Sequence, residues 1–84
     1  MELSYDPRQH FGLHLAKLRR AKGISQERLA LESGLARSYL SGIERGVRNV
    51  SLMNICIIAE TLRCPPACLL EFSTRPDAGE GEAH

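Results

Sequence analysis

Apolar residues recur at intervals of three and four along most of this chain, and the spacing divides it into helices. Phe11, Leu15 and Leu18 give one inward face to a first segment. It opens at Asp6-Pro7, an N-cap followed by proline at the first helical position, and runs to about Lys22, where Gly23 stops it. Ser25 caps a second helix that ends at Gly34. A third is predicted from about Ala36 to Arg45, with only Leu40 and Ile43 on its inner side, and Gly46 is its stop. After a polar connection over 47–50, Ser51 caps a fourth helix to about Arg63, with Leu52, Ile55, Ile58, Ala59 and Leu62 in helical register. Pro65-Pro66 breaks that helix and starts a short fifth over 66–72.

Five short helices in 84 residues predict one compact all-α domain. The expected boundaries are a loose N-terminal lead-in over 1–8, the folded domain over 9–72 and a tail over 73–84. That tail is rich in Gly, Ala, Asp, Glu and Pro, with no apolar residue larger than alanine, so it is expected to be flexible and acidic. A core this small gains from short, well-packed helices or from pairing with a second copy.

The formal net charge of +1 conceals an asymmetry. Residues 8–48 hold nine basic residues against Glu27, Glu32 and Glu44, a balance of +6. Residues 49–84 hold Arg63 and Arg75 against Glu60, Glu71, Asp77, Glu80 and Glu82, a balance of −3. Lys and Arg that neutralise phosphates supply most non-specific affinity for DNA. Positive charge is therefore gathered on the second and third helices and the one before them.

Other chemistries find little support. Cys56, Cys64 and Cys68 show no paired pattern, a zinc site usually takes four ligands, and His10, His14 and His84 lie far off, so buried free thiols are expected. His10 and His14 stand four apart on one helix without the glutamate a metallohydrolase places beside such a pair, and read as ordinary helix-face residues. With no nucleophile–base pair, phosphate loop or metal set at a working spacing, no enzyme, metal or cofactor is expected. The apolar runs are too short for a membrane span and no secretory leader opens the chain, which predicts a soluble cytoplasmic protein.

The segment Ser25–Arg48 has the layout of a helix-turn-helix: an N-cap serine, the small Ala30, Gly34 at the turn, then a helix opening Ala36-Arg37-Ser38-Tyr39. The phrases Gly23-Ile24-Ser25-Gln26-Glu27-x-Leu29-Ala30 and Ser41-Gly42-Ile43-Glu44-Arg45-Gly46, in this order, resemble the phage-repressor-like (XRE, or Cro/CI) helix-turn-helix family over about residues 9–70. The run Arg37 to Arg45 followed by Arg48-Asn49 is most similar to the controller proteins of restriction–modification systems. The resemblance implies a lambda-repressor-like five-helix domain that regulates transcription by binding double-stranded DNA as a homodimer. Ser33 departs from the pattern, standing where an aliphatic residue is more usual, and is expected to loosen packing beside the turn.

Roles follow residue by residue. Arg37 leads the candidates for base reading, since a guanidinium matches guanine O6 and N7 in a bidentate fork; the alternative is a simple phosphate contact or a surface arginine. Ser38 and Ser41 share its helix face and can bond a base edge or a phosphate. Tyr39 is expected to lay its ring on the sugar-phosphate backbone or a thymine methyl, with Ala36 and Gly42 small enough to let the helix approach the groove. In this family the position of Gln26 is a phosphate contact at a helix N-terminus; the alternative is a residue that merely helps the cap. Arg45, Arg48 and Asn49 should grip phosphates, with a solvated loop charge as the alternative for Arg48. The resemblance makes Arg19 and Glu44 a structural salt bridge between the first and third helices. Met53, Ile57, Leu69, Leu70 and Phe72 are the expected dimer surface, the alternative being that they pack within one chain. A second functional reading is an antitoxin that binds a toxin through the acidic tail and represses its own operon.

Overall fold

The computed structural model describes residues 1–74. Its elements are α1 (Pro7–Ala21), α2 (Gln26–Ser33), α3 (Arg37–Glu44), α4 (Leu52–Thr61) and a 3₁₀ turn, Pro66–Leu70. The all-α class holds, but the fifth element is this tighter turn rather than a helix reaching Phe72. Its bonds join residues three apart: the Cys68 N–H donates to the Pro65 carbonyl at 2.9 Å and the Glu71 N–H to that of Cys68 at 3.4 Å. The α1 helix takes in Pro7 and Arg8, two residues that the expected lead-in had claimed. Of the acidic tail expected over 73–84, only the exposed Ser73 and Thr74 are described, and the rest lies outside the described residues.

Local chemistry sets the ends of the helices. Asp6 accepts a bond from the Arg8 N–H at 3.0 Å, Ser25 from Arg28 at 3.0 Å and Ser51 from Asn54 at 3.1 Å. Each bond satisfies a first-turn donor that the helix itself leaves open. Gly34, at the close of α2, takes φ +78°, a conformation that a Cβ would strain, and its N–H reaches back to the Ala30 carbonyl at 2.9 Å. Ser33 braces this turn instead of loosening it. Its hydroxyl donates to the Ala30 carbonyl at 3.4 Å and accepts from the Leu35 N–H at 3.2 Å.

The core is a cluster to which every element contributes. Leu15, Leu29, Leu40, Ile43, Ile58, Leu62 and Leu69 are fully enclosed. Burying such a side chain contributes about 1.5–3 kcal/mol. The α1 helix packs on α3 and on the 3₁₀ turn, while α2 packs on α3 and α4. The inner side of α3 is thereby clamped while its outer side stays open. Two expectations fail on α4. Leu52 is 75% exposed, and Cys56 is exposed rather than buried; Cys64 and Cys68 are half-buried. The sequence of α4, LMNICIIAET, is apolar on several sides, so spacing alone offers more than one inward face. Contact with α2 and the 3₁₀ turn selects the one carrying Ile58 and Ala59.

Gly12 marks the crossing of α1 over α3. A Cβ there would overlap the Ile43 carbonyl oxygen and stand 2.8 Å from that of Glu44. Both α1 histidines serve the fold. His14 Nε2 bonds the Cys68 carbonyl at 2.6 Å, and the His10 ring packs between Tyr5 and Phe72 at 5.2 and 5.8 Å.

Candidate nucleic-acid interface

The outer side of α3 is built by what its inner side gives up. Leu40 and Ile43 go to the core, leaving Arg37 and Ser38 exposed on the first turn. Arg37, Ser41 and Arg45 stand four apart and so form one row along the helix. Ala36 occupies the N-cap and has no side-chain acceptor, so the first N–H groups of α3 carry no side-chain cap. A helix start in this state suits a partner rich in acceptors.

A buried ion pair fixes that row. Arg19 donates to both carboxylate oxygens of Glu44, at 2.7 and 3.0 Å, and to the Ile24 carbonyl at 2.8 Å. The two side chains are 10% and 7% exposed. Burial raises the Glu44 carboxyl, but hydrogen bonds from Arg19 and Gln26, with the charges of Arg19 and Arg20, outweigh it and leave the group below its ordinary pKa. The bond to Glu44 raises Arg19 in turn. Arg19 and Glu44 thus form a salt bridge between α1 and α3.

Gln26 is drawn into the same network. Its amide donates to Glu44 Oε1 at 2.9 Å, which ties the half-buried side chain to α3 at the start of α2. Tyr39 departs from expectation. Its ring is half-buried against the core and its hydroxyl accepts from Asn54 Nδ2 at 2.9 Å, so the side chain braces α3 on α4 rather than lying free on the reading face. The Arg48 guanidinium lies 5.8 Å from the Tyr39 ring centroid, within cation–π range. The small size of Gly42 also serves the fold. Any Cβ there would meet Arg48 Cγ at 2.7 Å, so the missing side chain makes room for Arg48. Arg45, Arg48 and Asn49 are all exposed. Asn54 and Gly12 were missed by sequence reasoning; a tyrosine partner fifteen residues away and a helical close approach leave no local signal.

The expected dimer residues divide. Met53 is 70% exposed and Leu70 52%, while Ile57 and Phe72 are half-buried. Leu69 is wholly enclosed within its own chain and has no surface to offer a second copy, so it belongs to the core. Leu52, assigned to the core from its spacing, joins the exposed set.

Among the described residues, no three His, Cys, Asp or Glu side chains gather closely enough to hold a metal ion. No helix there is long and apolar enough to cross a membrane.

Known proteins share this fold. The helix-turn-helix family profile matches residues 15–67. The control protein C.BamHI of Bacillus amyloliquefaciens is 49% identical over 65 residues, spanning 76% of this chain and 80% of that one. The restriction–modification controller protein C.AhdI from Aeromonas hydrophila superimposes with a TM-score of 0.74 at 54% identity, covering 77% of this chain and 98% of that chain. The controller C.Esp1396I, solved as a tetramer with its natural 35 base-pair operator, gives 0.72 at 32% identity over 81% of this chain and 90% of that chain. The chain belongs to the XRE-type helix-turn-helix family: it is a DNA-binding transcriptional regulator, not an enzyme, and restriction–modification controller proteins are its relatives.

Proposed function

We propose that the chain is the controller of a restriction–modification system, a cytoplasmic homodimer that binds a roughly palindromic operator and sets transcription of the linked genes. The observation that carries this reading is the row of exposed Arg37, half-buried Ser41 and exposed Arg45, held on α3 by the buried Arg19–Glu44 pair. Arg37 reads a guanine, Ser38 and Ser41 bond a base edge or a phosphate, and Gln26, Arg45, Arg48 and Asn49 hold the backbone. Tyr39 positions Arg48 and α3. Exposed Leu52, Met53 and Leu70, with the open parts of Ile57 and Phe72, form the twofold contact. Kinship with several control proteins favours the controller over the antitoxin.

Selection of bound duplexes from a random pool tests the reading. The expected product is a site of two inverted half-sites with centres about 34 Å apart, one turn of DNA. On that duplex Arg37→Ala should weaken binding by about 1–3 kcal/mol, roughly 5- to 150-fold, for each half-site, and relax one base pair in each. Undiminished binding would remove Arg37 from base reading. For the dimer, sedimentation equilibrium should find Met53→Asp monomeric at concentrations where the parent is dimeric; an unchanged mass would place the twofold surface elsewhere.

A further inference from the structure

Two cations of α1 take part in no salt bridge among the described residues. Lys17 and Arg20, three apart and both exposed, line an open cleft of about 490 Å³ whose opposite wall is Gln26, Ser41, Glu44 and Arg45. Glu44 is the acid of this lining, and both its oxygens are already bonded, to Arg19 and to Gln26. Its charge is balanced by Arg19. Among the described residues the salt bridges engage Arg8, Arg19 and Arg28, which leaves Lys17, Arg20 and Arg45 facing one cleft outside any salt bridge, with Arg20 acting on Glu44 through its charge alone. Like charges gathered in this way repel, and a polyanion relieves the repulsion. The cleft is also continuous with the reading face, because Ser41 and Arg45 belong to both. Gln26, the first residue of α2, brings the positive end of that helix to the same place.

We propose that Lys17 and Arg20 bind the phosphodiester backbone of the duplex that α3 reads, so that the DNA footprint extends beyond the helix-turn-helix onto α1. The inference rests on the DNA-binding reading above. Arg20 supplies a fork that can take two phosphate oxygens, and Lys17 a point charge. Neither side chain touches a base, so both raise affinity without adding sequence preference.

The test is equilibrium binding from about 50 to 200 mM salt, on the duplex selected by the parent protein and on a scrambled duplex of equal length. Lys17→Gln with Arg20→Gln should lower the slope of log affinity against log salt by about 1.8 per protomer, about 0.9 for each phosphate no longer neutralised. Both duplexes should weaken by the same factor, and reselection should return the parent's site. A slope is insensitive to the active fraction of protein, so partial unfolding cannot imitate the result. Lys22→Gln with Arg63→Asn removes equal charge from a different cleft, one that no α3 residue lines, and should leave the slope unchanged. An unchanged slope in the first variant overturns the proposal. So does an equal fall in both variants, which would make the effect one of overall charge, or a loss confined to the selected duplex, which would make it base reading. If the parent selects no duplex, the DNA-binding reading itself fails; if it does and the slope is unmoved, only the role of α1 in DNA binding is refuted.

Discussion

Glu44→Ala is expected to lower folding stability by about 3–5 kcal/mol, because it leaves the Arg19 guanidinium charged and enclosed without its counter-ion. A domain of this length has a total margin of roughly 4–12 kcal/mol at ordinary stability per residue, so the loss takes a large part of it. Urea titration reads the effect directly, and a variant within about 1 kcal/mol of the parent would show the pair to be dispensable. Acid gives an independent check. The Glu44 carboxyl titrates below its ordinary value in the folded chain, so the unfolded chain takes up its proton first as pH falls. The stabilising contribution is therefore complete above the unfolded value and is lost as pH falls through the folded one. The parent should lose this contribution in the range below ordinary glutamate titration, whereas Glu44→Ala has none to lose there. Gln26 loses its acceptor in the same variant, so the start of α2 should also gain mobility.

Gly12→Ala should cost about 2 kcal/mol, since the new methyl group meets backbone carbonyls of α3 that no rotamer change can move. The α1 helix must lift away from α3, and Phe11 and Leu15 lose packing with it. Gly42→Ala is the matched comparison. There the obstacle is the side chain of Arg48, which can swing aside, and the helical preference for alanine over glycine, about 1 kcal/mol, offsets most of the strain. Its stability should stay within about 1 kcal/mol of the parent, while Arg48 leaves the Tyr39 ring. Equal losses in the two variants would mean that α1 does not approach α3 as closely as this crossing requires.

How far the sequence spoke depended on whether a signal was local. Asp6-Pro7, Ser25 and Ser51 marked helix starts because capping is settled within three residues. Gly23, Gly34 and Gly46 marked the stops because all three take positive φ. The exposed candidates on α3 were equally legible, because Leu40 and Ile43 left only one side outward. The fourth helix was harder. With apolar residues on several sides, it concealed that Leu52 and Cys56 face out, and Leu69 was sent to a partner surface when its own chain encloses it. The partial burial of Tyr39 was not legible because its hydroxyl partner, Asn54, belongs to another helix. Gln26 was assigned from its position in the motif, and nothing near it announced that Glu44 would hold its amide.

The sequence separations of the bonds described above also imply an order of events in time. Glu44 lies 25 residues from Arg19 and 18 from Gln26, whereas His14 and the Cys68 carbonyl are 54 apart. Pairings between near neighbours in sequence form faster than those that must close a long loop. The first three helices therefore have the means to settle together before the far end of the chain docks on α1. A newly made molecule would then have its third helix in place before the surface around Leu70 is finished.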